Sequence, residues 1–372
     1  MIRPRRPARA VRQLRSLIGT SRAGAAAYGC GPLRIARIAA RVRRRQGFEY
    51  PEALRVGALD PGISDAERAS YVSRHANLEA QGPLNGGNET PAITGDKSVF
   101  YRYCELLGVP VPALHGILDT RGSSWDASGR VLVDPGDVER FLAEGVPAEV
   151  IVKPSEGYAG RGVRLVVRDA SGAISVNGRP STAARLWREL CADAEFAVWI
   201  VQERLVNHPD LEAMGGPASL HSVRINTIVA RDGGARLLFG NLKLALGGDV
   251  SDNFQAGATG NGIVEVAVDD GRLGPLVLPR EGPAGFVRRP DSPLTGAPVE
   301  GVVLPHWEAA RRIVVEAAPR FLPHRALGWD VALTPRGPVV LETNTRWLPL
   351  PYPSMSRILA EVRAEGPRAP SS

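Results

Sequence analysis

Lysine is nearly missing from this chain. Its 372 residues carry 46 basic side chains, and only Lys97, Lys153 and Lys243 among them are lysines. Arg is the default cation in a composition also rich in Ala, Gly and Pro. Against that background a Lys marks a position where a compact, rotatable point charge is expected to serve better than a planar fork. Cysteine is scarce as well. Cys30, Cys104 and Cys191 are dispersed, with no CxxC and no His cluster beside them. That argues against a disulfide framework or zinc site and for a reducing compartment. No apolar run approaches the roughly 18 residues of a membrane span. Residues 23–33 (AGAAAYGCGPL) are too Gly-rich for a signal core, so secretion is not expected. Acidic residues are absent from positions 1–48, which hold 13 Arg, whereas the remainder has 33 basic against 39 acidic residues. The net charge of +7 is thus a property of the N-terminal segment over a mildly acidic body. The segment also lacks interleaved aromatics, so nucleic-acid binding is not expected.

What is present fits a globular protein, with 44% hydrophobic and 23% charged residues. Its length allows two or three domains or one large α/β unit. Val11, Leu14, Leu17 and Ile18 recur at helical spacing. Ile35, Ile38, Ala39 and Val42 form one helix face, and Arg34, Arg37, Arg41, Arg44 and Arg45 the other. Two readings stay open for residues 1–48: attachment to an anionic membrane surface or acidic partner, or a helical lid packed on the body with its Arg outward. Residues 65–80 are expected as one helix, 82–95 as a loop, and 96–107 as a helix closed by Gly108. Strands are predicted at 148–154, 163–168 and 197–205. Hairpins follow at 222–246, 263–278 and 328–344, with helices at 182–194 and 306–319. Antiparallel hairpins with inserted helices predict an α+β fold and not a doubly wound parallel sheet.

Four constellations carry chemistry. Lys153 ends a strand and precedes Gly157, Gly160 and Gly162, with another strand after them. Glycines let backbone N–H groups approach phosphate oxygens, and a Lys before the loop can reach the same oxygens. The order is neither a P-loop nor a dinucleotide fingerprint, both of which run into a helix. Next, Glu342 and Asn344 share a strand face, and the hairpin partner can bring Asp330 beside them. Two carboxylates and an amide oxygen suit Mg²⁺ on nucleotide phosphates. Third, the strand end Gln202, Glu203, Arg204, Leu205 can offer backbone groups to an adenine edge, with Asp210 placed for ribose hydroxyls. Finally, Arg224 and Lys243 lie on paired strands, where two cations repel unless an anion sits between them. Asn253 and Gly257 open a second Gly-rich loop. His221 and His324 read as structural, and no GxSxG, HExxH or HRD/DFG set is present.

Taken in order, Asp96-Lys97, Lys153 with its Gly-rich loop, Gln202-Glu203-x-Leu205, Ser222-x-Arg224-x-Asn226-Thr227, Asp330 and Glu342-x-Asn344 resemble the ATP-grasp superfamily. DKSVFYRYCELLGVPVP, SVRINTIV, DNFQAG and GWDVALTPRGPVVLETN are most similar to its sugar-transfer-associated group, linked to cell-surface polysaccharide synthesis. The likeness spans about residues 90–350. It implies two α+β subdomains whose antiparallel sheets grip ATP, after an N-terminal helical basic segment. The expected division is 1–89 helical and Arg-rich, 90–200 with the Gly-rich loop, 201–350 with the metal site, and 351–372 a C-terminal tail.

By the same resemblance Lys97 and Lys153 contact the α/β phosphates under Gly157, Gly160 and Gly162. Glu203 and Leu205 read adenine by backbone. Asp330, Glu342 and Asn344 hold two Mg²⁺ ions, and Arg224 with Lys243 neutralises the γ-phosphate. The implied activity is ADP-forming carboxylate–amine ligation through an acyl phosphate, on small-molecule, sugar-linked substrates. The alternatives are a phosphotransferase acting on a hydroxyl and a non-catalytic nucleotide-binding module of a glycan-synthesis complex. The expected place is the cytoplasm, with residues 1–48 able to hold the protein at the inner membrane face. Arg346 and Trp347 depart from the expected ending after Asn344. Either they shape an acceptor pocket or Trp347 packs.

Overall fold

A computed structural model of the chain describes residues 6–86, 92–157, 160–246, 254, 258–280, 282, 284–352 and 354–366. Asn253 and Gly257 lie outside these, as do Tyr158 and Ala159 of the Gly-rich loop. The strands are β1 (Leu114–Asp119), β2 (Ser124–Asp126), β3 (Val131–Leu132), β4 (Glu149–Pro154), β5 (Arg164–Arg168), β6 (Ile174–Val176), β7 (Arg179–Ser181), β8 (Val198–Glu203), β9 (Ser222–Val229), β10 (Ala235–Leu244), β11 (Gly262–Val266), β12 (Leu273–Pro279), β13 (Phe286–Arg289), β14 (Ala326–Thr334) and β15 (Gly337–Asn344). They form two antiparallel sheets among the described residues, ordered β3-β2-β1-β8-β4-β5-β6-β7 and β13-β12-β11-β10-β9-β14-β15. The helices are α1 (Arg6–Tyr28), α2 (Pro32–Gln46), α3 (Tyr50–Arg55), α4 (Asp65–Ser70), α5 (Arg74–Gln81), α6 (Ala92–Gly95), α7 (Lys97–Leu106), α8 (Pro135–Glu144), α9 (Ala183–Cys191), α10 (Pro209–Gly215), α11 (Trp307–Ala317) and α12 (Met355–Ala364). The α+β expectation holds. β8 belongs to the first sheet through Glu203, so the expected division at 200/201 falls inside a strand.

Strand alternation decides which residues reach the space between the sheets. In β4, Val150 and Val152 pack against Phe141 and Leu142 of α8 and Leu186 and Leu190 of α9. Ile151 and Lys153 therefore point the other way. In β8, Trp199 and Val201 join that same core, while Ile200 joins Phe100, Tyr101 and Cys104 of α7. The second sheet buries Val223 and Ile225 of β9 and Trp329 and Val331 of β14 against α11, whose Trp307, Ala310, Val314 and Ala317 recur at helical spacing. Each such large apolar side chain stabilises the fold by roughly 1.5–3 kcal/mol. The faces left over carry Arg224, Lys243, Asp330 and Glu342.

The N-terminal segment is a packed helical unit and not a detached arm. Ile35, Ala39 and Val42 of α2 are buried with Phe48, Leu54, Leu59 and Ala284, and the Arg of α2 face outward. α1 runs through Gly19 and Gly24. A Cβ at Gly24 would stand 3.0 Å from Ile35, so the glycine allows the helices to close on each other. Gly57 and Gly285, with φ of +84° and +78°, approach backbone to backbone, and Gly285 N–H donates to Arg55 O at 3.1 Å. The helix expected over 65–80 is two helices. Tyr71 is extended, and Ser64 and Ser73 each cap a new N-terminus by accepting from Glu67 N–H and Ala76 N–H. The expected C-terminal tail contains α12, whose Met355, Ile358, Leu359 and Val362 are buried against Trp347 and Tyr352.

Candidate active site

α7 is seated directly on the Gly-rich loop. Asp96 caps it by accepting from Ser98 N–H at 2.8 Å, and the same carboxylate accepts from the Ser155 hydroxyl. Lys97 N–H donates to Ser155 O at 2.9 Å. Burial pushes the Asp96 pKa up, and the hydrogen bonds from Ser155 and Ser98 more than offset it, holding the carboxyl below its ordinary range. This joint fixes Lys97, whose Nζ donates to Gly157 O at 3.0 Å and stands 3.6 Å from Glu342 Oε2. Lys97 thus connects the first sheet's loop to the second sheet's acid.

Lys153 Nζ donates to the Tyr101 hydroxyl at 3.1 Å. Desolvation, and then the neighbouring Lys97 ammonium, push the Lys153 pKa down to about 7, against an upward pull from Glu342. The Gly-rich turn is closed by its own stereochemistry. Gly160 and Gly162 have φ of +72° and +74°, and a Cβ on Gly162 would meet Pro154 Cγ at 2.8 Å.

On the second sheet Asp330 is paired in register with Arg224 on one side and Glu342 on the other. A bulge lets β15 do two things at once. Asp330 opposes Glu342 but Val331 opposes Val340, so Leu341 is the extra residue. In a regular strand residues 340 and 342 would share a face. With the bulge Val340 enters the core while Glu342 faces the cleft. Arg224 donates to both oxygens of Asp330, through Nη2 at 2.7 Å and through Nε, and Lys243 Nζ stands 3.0 Å from Asp330 Oδ1. Asp330 itself supplies an anion between the two cations, a pairing that sequence reasoning did not foresee. Burial alone would push its pKa up; Arg224 and then Lys243 outweigh that and hold the carboxyl far below the ordinary range.

These groups line one cleft of about 360 Å³. Lys97, Lys153, Gly157, Gly160, Gln202, Leu205, Arg224, Lys243, Asp330 and Glu342 all border it. Ile151, Val163, Leu165 and Leu341 give it apolar walls. Four expected residues are not among its lining. Gly162 shapes the turn behind it. Glu203 turns its side chain to Arg336 and to Ala113 N–H. Asn344 donates to Glu342 Oε1 at 3.3 Å. Asp210 lies exposed on α10, and Glu212, two residues on and so about 200° around the helix, lines the cleft instead. Tyr101 was missed by sequence reasoning, although its i+4 spacing from Lys97 on one helix was the available signal. Trp347 packs edge-on against Phe239 at 5.0 Å. His221 is buried between Gly216 O and Ala245 N–H.

Among the described residues no cluster of three or more His, Cys, Asp or Glu side chains forms. The candidate metal donors are two carboxylates and an amide oxygen. All are hard oxygen ligands, one is held firmly anionic, and the other two are adjacent, which fits Mg²⁺. No helix among the described residues is long and apolar enough to cross a membrane.

The sequence model of the sugar-transfer associated ATP-grasp family matches residues 75–357. No curated protein matches the chain. Among solved structures the chain is similar to the biotin carboxylase–β-γ-ATP complex from Campylobacter jejuni, with 14% identity and a TM-score of 0.42 over 75% of this chain and 48% of that one. It is also similar to D-alanyl-alanine synthetase A from Vibrio cholerae, with 12% identity and a TM-score of 0.40 over 74% and 66%. D-alanine–D-alanine ligase from Bacillus anthracis gives 11% and 0.38 over 74% and 67%. The chain thus spans about half the length of the biotin carboxylase. With the family match covering most of the sequence, and two antiparallel sheets facing across a cation-lined cleft, the chain belongs to the sugar-transfer associated ATP-grasp family.

Proposed function

We propose that the protein is an ADP-forming carboxylate–amine ligase acting on a small-molecule substrate tied to glycan synthesis. One observation carries the reading. Four cations, Lys97 at the start of α7, Lys153 of the first sheet, and Arg224 and Lys243 of the second, converge with Asp330 and Glu342 on one cleft. Among the described residues that line it there is neither Cys nor His. Such an arrangement serves charge neutralisation and positioning, which is what phosphoryl transfer requires.

In this mechanism Lys97 and Lys153 bind the α/β phosphates and the turn at Gly157 and Gly160 covers them. The apolar walls at Ile151, Val163, Leu165 and Leu341 take the base, and Glu212 faces the ribose. Asp330, Glu342 and Asn344 would hold Mg²⁺, which supplies neutralisation of phosphate charge when bound. A substrate carboxylate oxygen attacks the γ-phosphorus, the bond to the β-phosphate oxygen breaks, and ADP leaves. Arg224 and Lys243 face the charge that develops there. An amine then attacks the acyl carbon, the bond to phosphate breaks, and the amine gives up a proton as phosphate departs.

The test is a panel of carboxylates and amines, scored for ADP, AMP and product mass. ADP with an amide supports the ligase. ADP with a stable phosphoester would make the protein a phosphotransferase, and AMP would contradict both. Absence of turnover with retained ATP binding would make it a nucleotide-binding module.

A further inference from the structure

α1 exposes an apolar stripe bordered by arginine. Val11, Leu14 and Ile18 are 50%, 58% and 45% exposed. At about 100° per residue they fall in one narrow sector of the helix, with Arg15 and Arg22 at its border and Arg12 beyond them. Leu33, at the start of α2, is 74% exposed. The buried side of α1, with Thr20, Leu17 on the cluster around Ile35, and Ser21, ends beside Leu14, and the stripe continues from there over the exposed side of the helix. Past Leu33, α2 buries Ile35, Ala39 and Val42 and turns Arg37, Arg44 and Arg45 outward.

We propose that α1 docks the protein on an anionic lipid bilayer, with Val11, Leu14 and Ile18 entering the headgroup–acyl boundary and the flanking arginines engaging lipid phosphates. The chemistry is that of a helix lying in the interface plane. Charge complementarity selects the surface. The first 48 residues hold 13 Arg and no acid, while the remainder carries 39 acidic against 33 basic residues. An anionic surface attracts the helical end and repels the body, which sets orientation as well as binding. A second copy of the chain would place Arg against Arg across the stripe. A single-stranded nucleic acid would stack on aromatics, and α1 has none before Tyr28.

The experiment uses the full chain and vesicles, either phosphatidylcholine alone or phosphatidylcholine and phosphatidylglycerol in equal parts. Co-sedimentation is expected with the anionic vesicles only. Leu14→Ser with Ile18→Ser, and separately Arg12→Gln with Arg15→Gln, should each weaken it at least about tenfold. ATP turnover and melting temperature should stay unchanged, because these side chains are exposed and far in sequence from the cleft. Absence of binding, equal binding to neutral vesicles, or unchanged binding by both variants would overturn the proposal. So would a stripe-dependent dimer in sedimentation velocity, or RNA binding, without vesicle binding.

Discussion

Lys153 Nζ donates to the Tyr101 hydroxyl at 3.1 Å, and that hydroxyl donates onward to Gln202 Oε1 at 2.8 Å. A phenol on α7 thereby ties the end of β4 to the end of β8 and holds the tip of Lys153 toward the cleft. Tyr101 is fully buried, so its ring also belongs to the core.

Tyr101→Phe keeps that ring and removes the relay. A hydrogen bond to a charged group contributes about 1.5–3 kcal/mol. The variant should therefore raise the KM for ATP by about tenfold or more, with a smaller change in kcat and only a modest loss in Tm. Steady-state ADP release with a parallel thermal melt checks this. A variant that lost stability alone would assign Tyr101 to packing.

The depressed pKa of Lys153, about 7, has two consequences. Between that value and the ordinary lysine value the unfolded chain binds a proton that the folded chain lacks. This group's contribution to stability therefore rises as pH rises from about 7 toward 10, and Lys153→Met should remove that rise. ATP phosphates favour the ammonium form, so binding above pH 7 should take up a proton and affinity should fall as pH rises. Calorimetry in buffers of different ionisation enthalpy should show uptake approaching one proton near pH 8 and little near pH 6. Equal proton uptake at both pH values would contradict it.

Asp330 holds two cations, so its removal acts on both stability and turnover. Asp330→Asn should cost about 3–5 kcal/mol by leaving Arg224 and Lys243 uncompensated. It should also lower kcat about a hundredfold or more. The double variant Asp330→Asn with Arg224→Gln should recover part of the stability and none of the activity. Urea unfolding and ADP release measured on the same samples separate the two effects.

Much of the candidate site was legible because period-2 alternation put Lys153, Arg224 and Asp330 opposite clearly apolar neighbours such as Val152, Val223 and Trp329. The 2-residue spacing of Glu342 and Asn344 was also readable, but the bulge at Leu341 was not, since it follows from pairing with β14. Glu203 is read as the polar end of a buried strand that offers its backbone, and Asp210 is placed by its distance from Glu203 along the chain. The Glu203 side chain turns to Arg336, which leaves the reading of its backbone untouched, and the helical turn of α10 brings Glu212 rather than Asp210 to the cleft. The contact between Lys97 and Glu342 joins positions 245 residues apart and carries no local signal. The break between α4 and α5 did have one, in Ser73, which caps α5 as Ser64 caps α4.

The central claim is that this cleft activates a carboxylate with ATP. Hydroxylamine as the amine, offered with the carboxylate panel, tests it most directly, because it captures an acyl phosphate as a stable hydroxamate. The wild type should release ADP and hydroxamate in equal amounts, and Lys153→Met and Glu342→Gln should yield neither while remaining folded. AMP, ADP accompanied by a phosphoester without hydroxamate, or hydroxamate undiminished in both variants would contradict the account.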